Sequence, residues 1–124
     1  MEPVILLRHA ASITGISGNE GEDKMKNGTI RHMAIFTLKH APDSAETAAF
    51  LRDGAEILSA IPVVKNFEVL RQVSVKCDFR YGFSMEFEDQ AAYDAYNSHP
   101  EHQAFVAKRW EVEVADFQEI DFVT

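Results

Sequence analysis

Arg80-Tyr81-Gly82-Phe83-Ser84-Met85-Glu86-Phe87-Glu88 alternates with a period of two. Tyr81, Phe83, Met85 and Phe87 fall on one side of an extended chain, and Gly82, Ser84 and Glu86 fall on the other. This is the pattern of a β-strand that buries an aromatic face. Upstream, Ile30 to Lys39 repeats the pattern. Ile30, His32, Ala34, Phe36 and Leu38 share one face, and Arg31, Met33, Ile35, Thr37 and Lys39 share the other. Apolar residues on both faces imply a strand covered on both sides. A third strand is expected over about Val64 to Ser74, with Phe67, Val69 and Val73 on one side. A fourth is expected over about Asp116 to Val123, and Lys76-Cys77-Asp78 reads as a turn.

Helices fill the gaps. Asp43-Ser44-Ala45-Glu46 reads as a capping-box-like start. Ala48, Leu51, Ala55 and Leu58 then recur at helical spacing, and Pro62 ends the run. Asp89 should cap a short helix reaching about Asn97. Pro100 suits the first position of another, where its missing N–H costs nothing, with His102, Phe105, Val106 and Arg109 on one face. The order is β-α-β-β-α-β, an α+β chain of ferredoxin-like type: one antiparallel sheet with helices on one face. A single sheet with apolar residues on both faces still needs cover on its open side, and a homodimer supplies it.

Composition sets outer bounds. The chain has 124 residues, 46% of them hydrophobic, which is one domain with enough apolar material for a core. Its formal net charge of −8 argues against nucleic acid or an anionic membrane surface as partner. Cys77 is the single cysteine, so no intrachain disulfide forms. No apolar run is long enough to span a membrane, and the N-terminus lacks a secretory signal, so a cytoplasmic location is expected. Residues 1–29 read as an N-terminal extension or linker, glycine-rich and polar in their second half. Residues 30–124 read as the domain, and Met25 is a candidate start of translation.

Chemistry concentrates in Tyr96-Asn97-Ser98-His99-Pro100-Glu101-His102 and in Arg31-His32. Imidazole and phenol at the ends of secondary-structure elements are suited to moving protons near neutral pH. His102 falls in the first turn of its helix, where the positive dipole end favours a neutral imidazole. Tyr96 is within reach to pair with it, and His99 is placed to cap the helix. Three histidines also raise a metal-binding alternative. Lys76 beside Cys77 raises that of a reactive thiol.

Residues 30–124 resemble the stress-responsive A/B barrel domain family of the dimeric α+β barrel superfamily. The resemblance is carried by Ile30-Arg31-His32-Met33-Ala34-Ile35-Phe36, by Ile61-Pro62, by Tyr81 to Phe87, and above all by Tyr93-Asp94-Ala95-Tyr96-Asn97-Ser98-His99-Pro100-Glu101-His102-Gln103-Ala104-Phe105. It implies a dimer with a pocket between sheet and helices in each subunit. No cofactor and no metal are expected. Most members have no established reaction. A polyketide-cyclising plant member uses a tyrosine and a histidine as an acid/base pair, at the positions of Tyr96 and His102. The family pocket lies along the strand face of His32, Phe36 and Leu38, and His32 retains that member's pocket histidine. A further pocket histidine falls on Phe83 here. The expected ligand site is therefore His32, Phe36, Leu38 and Phe83 with His99 further out, and Tyr96 and His102 are the catalytic candidates. A small apolar or carbonyl-containing molecule is the expected ligand. Enolisation of a polyketide-like carbonyl compound is the alternative activity. Val4-Ile5-Leu6-Leu7-Arg8-His9-Ala10 separately resembles the R-H motif of histidine phosphatases, a fold that needs a longer chain.

Overall fold

The computed structural model describes residues 28–124. The R-H stretch, Met25 and most of the N-terminal extension lie outside the described residues. The elements are β1 (Ile30–Leu38), α1 (Ala45–Ser59), β2 (Lys65–Arg71), β3 (Tyr81–Phe87), α2 (Gln90–Ser98) and α3 (Pro100–Phe105). A π-helical turn (Val106–Trp110), α4 (Glu111–Glu113) and β4 (Val114–Val123) follow. The sheet is antiparallel in the order β2-β3-β1-β4. Two split β-α-β units interleave in this way in a ferredoxin-like domain.

The strict alternation of β1 is visible in its burial. Ile30, His32, Ala34, Phe36 and Leu38 are buried beneath the helices, and the residues between them are half-buried on the outer face. The core is aromatic. Phe36 packs edge-on to Phe83 and to Trp110, each at 4.9 Å between ring centroids, and Phe50 stacks parallel to Phe83 at 6.1 Å. α1 approaches closely because position 54 is glycine. A Cβ there would stand 2.6 Å from Cζ of Phe83 and 3.2 Å from Cζ of Phe105.

The outer sheet face follows from the register. Arg31 pairs with Phe122, Met33 with Ile120, Ile35 with Gln118 and Gly82, and Gly82 with Leu70. Met33, Ile35, Leu70, Ile120 and Phe122 therefore share one apolar surface, bordered by the Arg31–Glu86 ion pair. β4 is inverted relative to an ordinary edge strand. Its apolar Ile120 and Phe122 point outward, and Glu119 and Asp121 lie on the helix side with Ala34 and His32.

Four local expectations change. The cap of α1 is Ser44, whose side chain accepts from the Thr47 N–H at 3.1 Å, and the third position after the cap is Thr47 rather than Glu46. β2 stops at Arg71, three residues early. The Gln72 amide donates to the carbonyls of Cys77 and Phe79 and folds the chain into a loop, leaving Val73 94% exposed. β2 also carries a bulge at Asn66, whose φ of 53° is the left-handed conformation that asparagine tolerates. Finally, the π turn adds a residue to the helical phase. Trp110, not Arg109, continues the His102–Phe105–Val106 face, and Arg109 turns to Asp53 and Glu113.

Overpacking at position 54 tests the core geometry. Gly54→Ala should cost about 1–3 kcal/mol, and less than half of that in a Phe83→Leu background, where the ring tip is gone. Urea unfolding of the four proteins measures both. Equal penalties in the two backgrounds would show that Phe83 is not what fills the glycine niche.

Candidate functional site

β1, β4 and the helices after β3 meet at one end of the sheet. Asp89 starts α2 by accepting from the Ala92 N–H at 2.9 Å, and its helix carries Tyr93 and Tyr96 inward. The chain bends at His99. Its Nδ1 accepts from the Glu101 N–H at 3.1 Å, and Pro100 takes the first helical position of α3. That bend swings His102 back onto Tyr96, with ring centroids 4.3 Å apart.

His32 is 5% exposed, and a buried imidazole needs a partner. Cross-strand pairing supplies one. Nδ1 of His32 donates to Oδ1 of Asp121 at 2.5 Å, and the Tyr93 hydroxyl donates to Oδ2 of Asp121 at 2.9 Å while lying 3.1 Å from the same Nδ1. The carboxylate orients the His32 ring through Nδ1. His102 is pinned in the same way. Its Nδ1 donates to the Asn97 carbonyl at 3.2 Å, which leaves Nε2 as an acceptor.

A cavity of about 40 Å³ lies between these groups. His32, Tyr96, His102 and Glu119 form its polar side, and Phe83, Phe105 and Trp110 are among its apolar walls. The structure thus brings His32, Phe83, Tyr96 and His102 to one pocket. Phe36, Leu38 and His99 do not line it. Phe36 is wholly buried among Phe50, Phe83 and Trp110, Leu38 lies farther along β1 in the core, and His99 is spent on the helix cap. Of the expected β1 pocket residues His32, Phe36 and Leu38, only His32 faces the cavity, together with Ala34.

Electrostatics set the protonation states. Burial pushes His102 below the ordinary histidine value, against the opposing pull of its hydrogen bond to the Asn97 carbonyl. Burial and then the Glu119 charge push the Tyr96 phenol upward. Burial and then Asp121 do the same to Tyr93. The Tyr96 hydroxyl has no hydrogen-bond partner among the described residues, although the side chain is 3% exposed. A buried phenol ordinarily has one. At neutral pH the pocket therefore holds a protonated phenol and a neutral imidazole side by side, a donor and an acceptor. Among the described residues no group of three or more His, Cys, Asp or Glu is placed to hold a metal ion. His99 is turned to its helix cap and does not join His32 and His102 at the cavity.

Tyr93, Asp121 and Glu119 were missed in the sequence. For Glu119 and Asp121 the signal was the parity of β4, where they alternate with Ile120 and Phe122. Alternation alone does not say which parity faces the helices.

Fold and site together describe a ferredoxin-like α+β domain with a small polar pocket between sheet and helices. The chain belongs to the stress-responsive A/B barrel domain family, whose model matches residues 30–124. A solved family protein of ferredoxin-like fold from Mesorhizobium loti is similar, with 59% identity and a TM-score of 0.77, over 78% of this chain and 97% of that one. A dimeric ferredoxin-like protein of unknown function from Thermobifida fusca is 21% identical, with a TM-score of 0.66, over 81% of this chain and 94% of that one. SnoaB, a cofactor-independent oxygenase from Streptomyces nogalater, is 18% identical, with a TM-score of 0.62, over 78% of this chain and 93% of that one. The last two likenesses are those of fold alone. No curated protein matches the chain.

The lowered His102 value has a sign that can be measured. Between the ordinary value of 6.5 and the depressed one, the unfolded chain takes up a proton that the native chain refuses. The stability contribution of neutral His102 is complete above about pH 6.5 and is lost as pH falls through that window. NMR titration of the His102 ring should give a midpoint below 6.5, and His102→Gln should flatten this part of the stability profile. A midpoint at or above 6.5 would contradict the burial described.

Proposed function

We propose that residues 30–124 bind a small carbonyl-containing molecule in the pocket between sheet and helices, as a cytoplasmic domain to which residues 1–29 are an extension. One observation carries this reading: a buried phenol without a hydrogen-bond partner among the described residues, Tyr96, stands beside two imidazoles whose Nδ1 atoms are pinned, His102 by Asn97 and His32 by Asp121. A carbonyl oxygen satisfies the Tyr96 hydroxyl, and the imidazole Nε2 atoms face the adjoining C–H or O–H groups. No helix among the described residues is long and apolar enough to cross a membrane, and the net charge of −8 disfavours anionic polymers.

The same geometry favours a second reading, a cofactor-independent enzyme for an enolisable carbonyl compound. The Tyr96 hydroxyl donates to the substrate oxygen, where negative charge develops. Nε2 of His102 takes the α-proton. The C–H bond breaks, its electron pair forms the enolate, and the imidazolium returns the proton to carbon or oxygen. Asp121 holds the His32 ring in place beside them. That a cofactor-independent oxygenase shares this fold agrees with the reading.

Exchange of the α-protons of acetone in D2O, followed by NMR, separates the two readings. An enzyme should accelerate exchange and lose about 10²–10⁴-fold in His102→Ala, the usual contribution of a positioned base. A binding protein should shift its His102 ring signals on acetone addition without exchange. Absence of both responses would refute the site. His102→Ala should alter stability by only about 1 kcal/mol, because the ring is half-buried at a helix start.

We further infer that a second copy covers the outer sheet face of Met33, Ile35, Leu70, Ile120 and Phe122. The apolar character of that face supports this, and the Thermobifida fusca protein of this fold is dimeric. Sedimentation at micromolar concentration should give twice 14.0 kDa, and Ile35→Asp should reduce it to the monomer. A wild-type monomer would overturn the inference.

A further inference from the structure

We propose that Phe83 fixes the size of the ligand, so that this pocket takes a neutral aldehyde or ketone of only a few non-hydrogen atoms. This rests on the carbonyl-binding reading above and names its ligand class. The cavity measures about 40 Å³, whereas an apolar cavity that accepts benzene measures about 150 Å³.

The limit comes from one ring. Phe83 lines the pocket, opposite Ala34 in the register, and its far end occupies the space that Gly54 leaves by lacking a Cβ. The Cζ and Cε2 atoms would lie 2.6 and 2.8 Å from a Cβ at that position. The ring is 1% exposed and is held by Phe36 at 4.9 Å and Phe67 at 5.3 Å between centroids. Away from the cavity the ring is packed at core density against these neighbours, so Phe83 is a fixed wall rather than a moving gate. Behind it lies the Gly54 niche, walled by aromatic carbon. Without the ring, that niche and the polar end of the pocket become one elongated cavity.

Charge narrows the class further. Glu119 lines the pocket and Asp121 stands behind His32. Two carboxylates at one end of a small cavity repel an anionic ligand, while Tyr96 offers a neutral oxygen a donor.

The full chain, Phe83→Ala and Phe83→Leu test this with acetone, acetophenone, benzene and xenon, read by ligand NMR and by the His102 ring signals. The wild type should bind acetone at least tenfold more tightly than acetophenone. Phe83→Ala should gain at least tenfold for acetophenone and should bind benzene, which the wild type excludes. Phe83→Leu keeps most of the packing and covers the case in which the alanine variant does not fold. It should take up more xenon than the wild type. Benzene or xenon uptake unchanged from the wild type in a folded variant would overturn the role of Phe83. If benzene and xenon behave as expected but acetone leaves His102 unmoved in every protein, the carbonyl reading falls and the wall remains. Tighter binding of acetate than of acetone would overturn the neutral-ligand assignment.

Discussion

The pleat of β1 places the site, the core and the outer surface at once. The strand is hydrogen-bonded along both edges, to β3 and to β4. Its side chains therefore have only two directions in which to point. On the helix side, His32, Ala34 and Phe36 follow one another at steps of roughly 6.6–6.8 Å. One end of this row is polar and the other aromatic, and the smallest side chain stands between them. Phe83 crosses over Ala34 and closes the aromatic end, and the pocket occupies what remains. Slipping the register of β1 by one residue would send His32 outward and Arg31 into the core, so the pairing that makes the fold also makes the site.

A histidine buried this deeply is tolerated because β4 breaks the usual rule for an edge strand. Its Glu119 and Asp121 face inward, and its Ile120 and Phe122 face outward. Asp121 then meets His32 and Tyr93 in a network in which each polar atom of the contact has a partner. Such a network is costly when half satisfied and specific when complete. The outward Ile120 and Phe122 are the other half of the same choice. Their exposure leaves an apolar outer surface, so the acidic inner parity and the apolar outer face belong to one arrangement.

The fold was legible because period two and period 3.6 are strong signals, and β1, β3 and α1 carry them cleanly. Legibility failed where a single side chain overrode the period. Gln72 ends β2 by bonding the loop carbonyls, so Val73 leaves the sheet although its pattern continues. The π turn advances the helix by one residue and exchanges Arg109 for Trp110. The convergence of Tyr96 and His102 follows from Pro100, which fixes the bend between their helices. Asp121 was hidden for a different reason. An acidic residue on an edge strand ordinarily faces water, and only the three-dimensional partner, His32, reverses that expectation.

The division of the molecule into two ends also separates stability from chemistry. Phe36, Phe50 and Phe83 interlock away from solvent against a partly buried Trp110, and a change of one methylene there is felt as cavity or strain. Tyr96 and His102 lie on short helices whose geometry is set by two caps and a proline, and His102 is only half-buried. A scaffold of this kind permits its helix-end polar groups to change while the aromatic end holds the sheet to α1, which is how one fold hosts unrelated functions. Phe83 is the exception, because it belongs to both ends. Its ring is a structural element of the core and the boundary of the pocket, so the volume open to a ligand is coupled to the packing that stabilises the chain.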